Sequence, residues 1–217
     1  MDLKARAARH LAMGDVRRLK IIDSLAGGDR TVSDLAGLVG MPSNLLAHHL
    51  EMLEVSGLIE RHASEGDRRK KYVTLSWDRL PYAPVPELDS ATVAFVCTHN
   101  SARSQFAAAL WEAATGAAVV SAGVEPSDEI HPKAVIVASE FGVDLVGRTP
   151  SGYESIPWEP DLVVSVCDRA LEGGLPAGKA HVHWSIPDPV RSGSLASFRS
   201  AFDDIAKRVG RLTGPTR

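Results

Sequence analysis

An apolar run of strand length, residues 91–96, leads into Cys97-Thr98-His99-Asn100-Ser101-Ala102-Arg103-Ser104, and an alanine-rich run of helical character, residues 105–114, leads away from it. A cysteine and an arginine six apart around a strand-to-helix turn can build an oxyanion site. The backbone N–H groups between them curl about the anion, the helix N-terminus adds positive potential, and the guanidinium offers a two-pronged fork. The same field favours the thiolate form of a cysteine, which makes Cys97 a nucleophile aimed at the bound anion. Thr98, His99, Asn100, Ser101, Ala102 and Arg103 are then the oxyanion-binding positions. Ser104 brings a hydroxyl within reach of the sulfur, and Asn100 suits a left-handed backbone position. Spacing alone leaves open the alternative of a buried thiol at the end of a strand.

The residues after the loop alternate between strand-like and helix-like runs: 117–121, 132–141, 162–166, 180–183 and 195–212. Such alternation predicts an α/β domain with a small parallel sheet and helices on both faces, with ligands at the carboxyl ends of its strands. Ser121-Ala122-Gly123, His131-Pro132, the strand 161–167 and Asp188-Pro189-Val190 follow in that order. With the loop, these blocks resemble the low-molecular-weight protein tyrosine phosphatases and their relatives, the thioredoxin-coupled arsenate reductases, over about residues 91–213.

The resemblance implies a set of roles. Asp188 is the general acid on a mobile loop, although Asp-Pro can also be only a turn. Arg103 grips the oxyanion and stabilises the transition state. His131-Pro132 opens a helix and is structural. Cys167 matches the second redox cysteine of the reductases, or else it is a buried strand residue. Val190 and Arg191 stand where the phosphatases carry aromatics against a phosphotyrosine ring, which points to a small inorganic oxyanion, arsenate or phosphate. The sequence departs from the reductase pattern twice: residues 171–179 lack the third, shuttling cysteine, and position 102 is alanine where many members have cysteine. No bound cofactor is expected. The reductant is external, either thioredoxin or a low-molecular-weight thiol with a glutaredoxin-like protein.

Three prolines within residues 81–86 prevent a regular helix. The expected organisation is a DNA-binding domain over 1–78, a Pro-rich linker over 79–90 and the phosphatase-like domain over 91–217. Within the first part, 17–25 has helical spacing. Thr31-Val32-Ser33-Asp34 reads as a capping box for a short helix to Leu38, and Pro42 reads as the first residue of a third helix closed by Gly57. Residues 58–61 and 72–75 alternate as strands around a polar tip. This winged helix-turn-helix pattern, mainly α with a β-hairpin wing, resembles the ArsR-type repressors from about Val16 to Leu75.

By that resemblance the recognition helix spans about Ser43 to Val55. Ser43, Asn44 and His48 can bond base edges or phosphates, and Leu45 and Ala47 can touch thymine methyls. Arg68, Arg69, Lys70 and Lys71 at the wing tip suit phosphates, though a basic hairpin tip can equally be a solvated loop. The partner implied is double-stranded operator DNA, bound by a homodimer paired through the N-terminal domain and its first helix, 3–13. This domain has no cysteine. His48 and His49 are adjacent and diverge by about 100° on a helix, so no metal site is expected. If the repressor senses arsenic, the signal comes from the second domain.

Charge and apolar patterning bound the remaining choices. The net charge of −3 divides into +2 over residues 1–80 and −5 over 81–217, which permits but does not require a nucleic-acid partner. No run approaches the ~18 apolar residues of a membrane span, and the first 14 residues lack the apolar core of a signal peptide. A cytoplasmic protein without a membrane partner is expected, and its two cysteines then suggest a reactive pair. The reading that unites these features is a transcriptional regulator fused to a thiol-dependent arsenate reductase with Cys97 as nucleophile. The alternatives are a non-catalytic repressor that senses an oxyanion or redox state, and a phosphatase fused to a DNA-binding domain.

Overall fold

Aspartate and threonine caps set the helix boundaries of the N-terminal unit. In the computed structural model, which describes residues 2–80 and 92–213, the chain divides into two compact units, each holding one of these stretches. The expected linker lies almost wholly outside the described residues. Asp2 caps α1 (Leu3–Met13), and Asp15 caps α2 (Val16–Ala26) by accepting from the Arg17 and Arg18 amides at 2.8 and 3.2 Å. Thr31 and Asp34 form the capping box of α3 (Val32–Val39), which stops at Gly40 in the left-handed conformation, φ 65°.

The helix-turn-helix continues into α4 (Ser43–Val55), with Pro42 one position earlier than expected, at the cap. Its ψ of 144° is extended while its carbonyl already accepts the Leu46 amide at 3.0 Å, so Ser43 is the first helical residue. Strands β2 (Ile59–Ala63) and β3 (Lys71–Leu75) form the hairpin, with Glu60 opposite Thr74, and a two-residue β1 (Arg30–Thr31) adds to β3. Leu46, Leu50 and Leu53 of α4 pack on Ile21, Ile22 and Leu25 of α2, on Leu35 and on Val73, all but fully buried. Truncating one of these leucines to alanine costs about 2–5 kcal/mol.

The second unit is a four-stranded parallel sheet in the order β5-β4-β6-β7: β4 (Thr92–Cys97), β5 (Ala118–Gly123), β6 (Leu162–Ser165) and β7 (Ala180–His183). Alternation along β4 assigns its two faces. Val93, Phe95 and Cys97 join the larger core with residues of α5 (Arg103–Thr115), α6 (Pro132–Glu140) and α9 (Leu195–Leu212). Ala94 and Val96 meet Tyr153, Ile156 and Leu175 on the other face. Two short helices were not foreseen, α7 (Asp168–Gly173) and α8 (Pro189–Ser192), because six and four residues are too few for a periodic signal. No helix among the described residues is long and apolar enough to cross a membrane.

Buried in the helix-turn-helix is a histidine rather than an aliphatic residue. His49 on α4 is 4% exposed, and neither ring nitrogen has a hydrogen-bond partner among the described residues. Burial lowers its pKa. The Asp15 carboxylate opposes that shift, while Arg18, Arg17 and His48 reinforce it. A folded pKa below the unfolded one means full stability above about pH 6.5, lost as pH falls through and below that value. Thermal melts of the full chain should therefore show a steeper acid loss for the native protein than for His49→Leu. Equal slopes in the two proteins would remove His49 as the source.

Candidate active site

The loop between β4 and α5 is an inward-facing cradle because its carbonyls are occupied elsewhere. The oxygens of Cys97, Thr98, His99 and Ser101 accept the amides of Val124, Glu125, Ser127 and His131 at 2.9–3.2 Å. Each outward carbonyl turns the next residue's N–H toward the inside. Asn100 shows the result: its amide points at Cys97 Sγ, 3.1 Å away, from a backbone φ of 50°. The lone left-handed non-glycine among the described residues thus falls at the asparagine chosen from sequence. Gly123, in the Ser-Ala-Gly stretch, lies against this turn; a Cβ there would come within 2.7 Å of the Thr98 carbonyl and 2.9 Å of the Asn100 amide.

Cys97 is 3% exposed, and its sulfur lies 3.0 Å from Ser104 Oγ. Asn100 Nδ2 donates to the same hydroxyl at 2.8 Å, and Asn100 Oδ1 accepts from Gln105 Nε2 at 3.0 Å and from the Ser151 amide at 2.9 Å. Arg103, the first residue of α5, is 5% exposed. It donates through Nη1 to the Ile186 carbonyl at 2.8 Å and meets Asp188 Oδ1 through Nη2 at 3.4 Å. Asp188 caps α8 through the Val190 amide, so the Asp-Pro turn and the carboxylate facing the loop are one feature. His131 caps α6 by accepting from the Lys133 amide, and its own N–H holds the Ser101 carbonyl. His99 is exposed and contacts the Glu125 carbonyl through Nδ1 at 3.0 Å.

Cys167 follows β6, the strand beside β4, and so reaches the same edge of the sheet. It is 1% exposed and reduced, with Sγ 3.3 Å from Thr98 Oγ1. Burial pushes its pKa up; Arg103 pulls it down and the charge of Cys97 adds to the rise. The same sulfur accepts the Ala170 amide at 3.4 Å as the cap of α7. Tyr153, not singled out from sequence, has a buried hydroxyl without a hydrogen-bond partner among the described residues. Burial, then the charges of Cys167 and Cys97, raise its pKa. Also unforeseen is a buried chain in which His183 lies between Ser165 and Asp168, with Ser185 donating to Asp168. Among the described residues no three His, Cys, Asp or Glu side chains converge as a metal site.

In the N-terminal unit Ser43, Asn44, Ala47 and His48 are exposed along the start of α4, whereas Leu45 is half-buried and packs on the core. Arg68, Arg69, Lys70 and Lys71 are all exposed on the wing. Arg69 is engaged by both oxygens of Asp67 at 2.9 Å, and this guanidinium holds the Asp67 carboxyl down to about 2.

Comparison with known proteins matches both units. Residues 92–215 match the family of low molecular weight phosphotyrosine protein phosphatases, and residues 15–61 match the arsR family of bacterial regulatory proteins. An arsenate reductase of Halalkalibacterium halodurans is 32% identical over 132 residues, covering 56% of this chain and 94% of that protein. One of Brevibacillus brevis is 35% identical over 127 residues, covering 56% and 92%. A solved arsenate reductase in its phosphate-binding state is 32% identical with a TM-score of 0.50, covering 56% of this chain and 95% of that one.

The close approach at Gly123 gives a direct test of the cradle. Millimolar phosphate should raise the melting temperature of the unsubstituted protein, and Gly123→Ala should cost about 1–3 kcal/mol and abolish that rise. A variant that keeps the full phosphate-induced rise would show that the loop tolerates the added methyl.

Proposed function

The chain belongs to the low molecular weight phosphotyrosine protein phosphatase family, and from that membership we propose that its second unit is a thiol-dependent arsenate reductase joined to a DNA-binding regulator. The observation that carries the reading is the meeting of Arg103, from the loop that begins at Cys97, with Asp188, while a second thiol, Cys167, contacts the Thr98 hydroxyl of the same loop.

Arsenate enters the cradle and takes over the Arg103 edge that faces Asp188. Cys97 thiolate attacks arsenic, forming an S–As bond, while Asp188 supplies a proton to the oxygen that leaves as water. Cys167 then attacks Cys97 Sγ. The S–S bond forms, the S–As bond breaks, and its electron pair stays on arsenic, which departs as arsenite. The two electrons come from the two thiols, and an external dithiol reduces the resulting disulfide. Burial holds the Cys167 thiol above its usual pKa, so its deprotonation is the demanding part of the second step. A low-molecular-weight thiol with a glutaredoxin-like partner can replace Cys167 as attacker.

Arsenate is favoured over phosphotyrosine because Val190 and Arg191, both exposed beside Asp188, supply no ring to flank a substrate ring. The N-terminal unit fits operator DNA through the exposed start of α4 and the basic wing, as a homodimer in the cytoplasm.

Purified protein with arsenate and thioredoxin, or with a small thiol plus glutaredoxin, should release arsenite. Cys97→Ser should reduce turnover to background, and Asp188→Asn should reduce it by about 10²–10⁴. Cys167→Ser should abolish only the thioredoxin-driven reaction; loss of both assigns Cys167 a structural role as the cap of α7. Fast hydrolysis of an aryl phosphate without arsenite release would replace the reductase by a phosphatase. In gel shifts on the protein's own upstream DNA, arsenical-induced release that persists in Cys97→Ser would rule out the second unit as the sensor.

A further inference from the structure

We propose that Gln105 is a positioning residue that raises the reactivity of Cys97 from the far end of a one-directional hydrogen-bond relay, a role that rests on Cys97 being the nucleophile. The polarity at the Asn100 side chain is fixed by a group that has no choice. The Ser151 backbone N–H can only donate, and it meets Asn100 Oδ1 at 2.9 Å, so the Asn100 oxygen faces Ser151. The amide nitrogen of Asn100 therefore faces Ser104 and donates to its hydroxyl at 2.8 Å. Against an ionised Cys97, which has no proton to give, the Ser104 hydroxyl is the donor to Sγ at 3.0 Å. The Asn100 amide adds a second donor to that sulfur at 3.1 Å. The sulfur end of this arrangement suits an acceptor, the thiolate.

Gln105 completes the sequence of donors. Its nitrogen lies between two oxygens, Asn100 Oδ1 at 3.0 Å and the Thr149 carbonyl at 3.5 Å, which fixes the amide with nitrogen toward Asn100. The side chain is 2% exposed and projects from the first turn of α5, one residue past Ser104. Donation into Asn100 Oδ1 polarises that amide and strengthens its donation to Ser104. Ser104 in turn becomes a stronger donor to sulfur, since hydrogen bonds in a chain reinforce one another in a low-dielectric interior. The anchor of the relay is the 149–151 segment, itself held to β5 by the Gly123 amide on the Ser151 carbonyl at 2.8 Å and by Ser151 Oγ on the Ser121 carbonyl at 3.1 Å. Gln105 reaches the site through its hydrogen bond to Asn100, so it acts through Asn100 and Ser104.

The test reads Cys97 directly and needs no arsenate. Alkylation of the full chain by iodoacetamide is followed across pH by peptide-resolved mass spectrometry, which separates Cys97 from Cys167. Gln105→Met keeps the length of the side chain and removes the donor; the Cys97 midpoint should rise by roughly half a pH unit, with about threefold less reaction below the midpoint. Gln105→Glu places a carboxylate against two carbonyl oxygens and should raise the midpoint further. A role in packing alone moves the melting temperature without moving the midpoint, so midpoints equal to that of the native protein in folded variants overturn the proposal. If neither variant folds, the unsubstituted protein decides. The Gln105 side-chain amide resonances should titrate with the Cys97 alkylation midpoint, and resonances that stay fixed through it overturn the relay. Absence of arsenite release with an intact relay would count against the reductase and leave this inference standing.

Discussion

One buried side chain, Asn100, links the parts of the site. Its left-handed backbone turns the loop so that its own amide meets the Cys97 sulfur, and its side-chain amide ties Ser104 on one side to Gln105 and Ser151 on the other. Asparagine reaches this conformation at lower cost than most residues, and its paired donor and acceptor satisfy three neighbours at once. An alanine there would lose both advantages. The outward carbonyls held by residues 124–131 depend on the same turn, because they fix the loop only while its peptides keep this orientation.

The sheet decides what the loop can do. Strand β4 lies between β5 and β6, so the chain leaves it to one side and returns to the other, and the ends of β4 and β6 open onto one crevice. That order brings Cys167 beside Thr98 although the two are 69 residues apart. The turn after β7 delivers Asp188 to the guanidinium of Arg103 from a third direction. The Cys97 thiol and Arg103 guanidinium of one loop, the Asp188 carboxylate and the Cys167 thiol thus come from three separate stretches of chain onto one edge of the sheet. Cys167 carries two roles there, as the cap of α7 and as a sulfur facing the loop, and these pull against each other if the thiol must move to form a disulfide.

The N-terminal unit shows how capping and apolar spacing can carry a small fold. Asp15, Thr31 with Asp34, and Gly40 place the ends of α2 and α3, and the spacing of Leu46, Leu50 and Leu53 places the inner face of α4. Proline fits the first turn of a helix in general, yet Pro42 has the extended ψ of a cap, 144°, and the helix starts one residue later. The structure packs Leu45 on the core, while Arg69 stays exposed and pairs with Asp67 two residues earlier.

The sequence alone determined the elements and the loop. A cysteine and arginine six apart, an asparagine fit for a left-handed turn, and a serine within reach of sulfur are local facts, and local facts survive in a linear string. Periodicity placed the long helices and most strands for the same reason. Only the tertiary structure decided which distant groups meet: Cys167 with Thr98, Asp188 with Arg103, and Ser151 with Asn100. Strand order and the direction of a buried hydrogen bond are properties of packing, and no spacing in the chain encodes them.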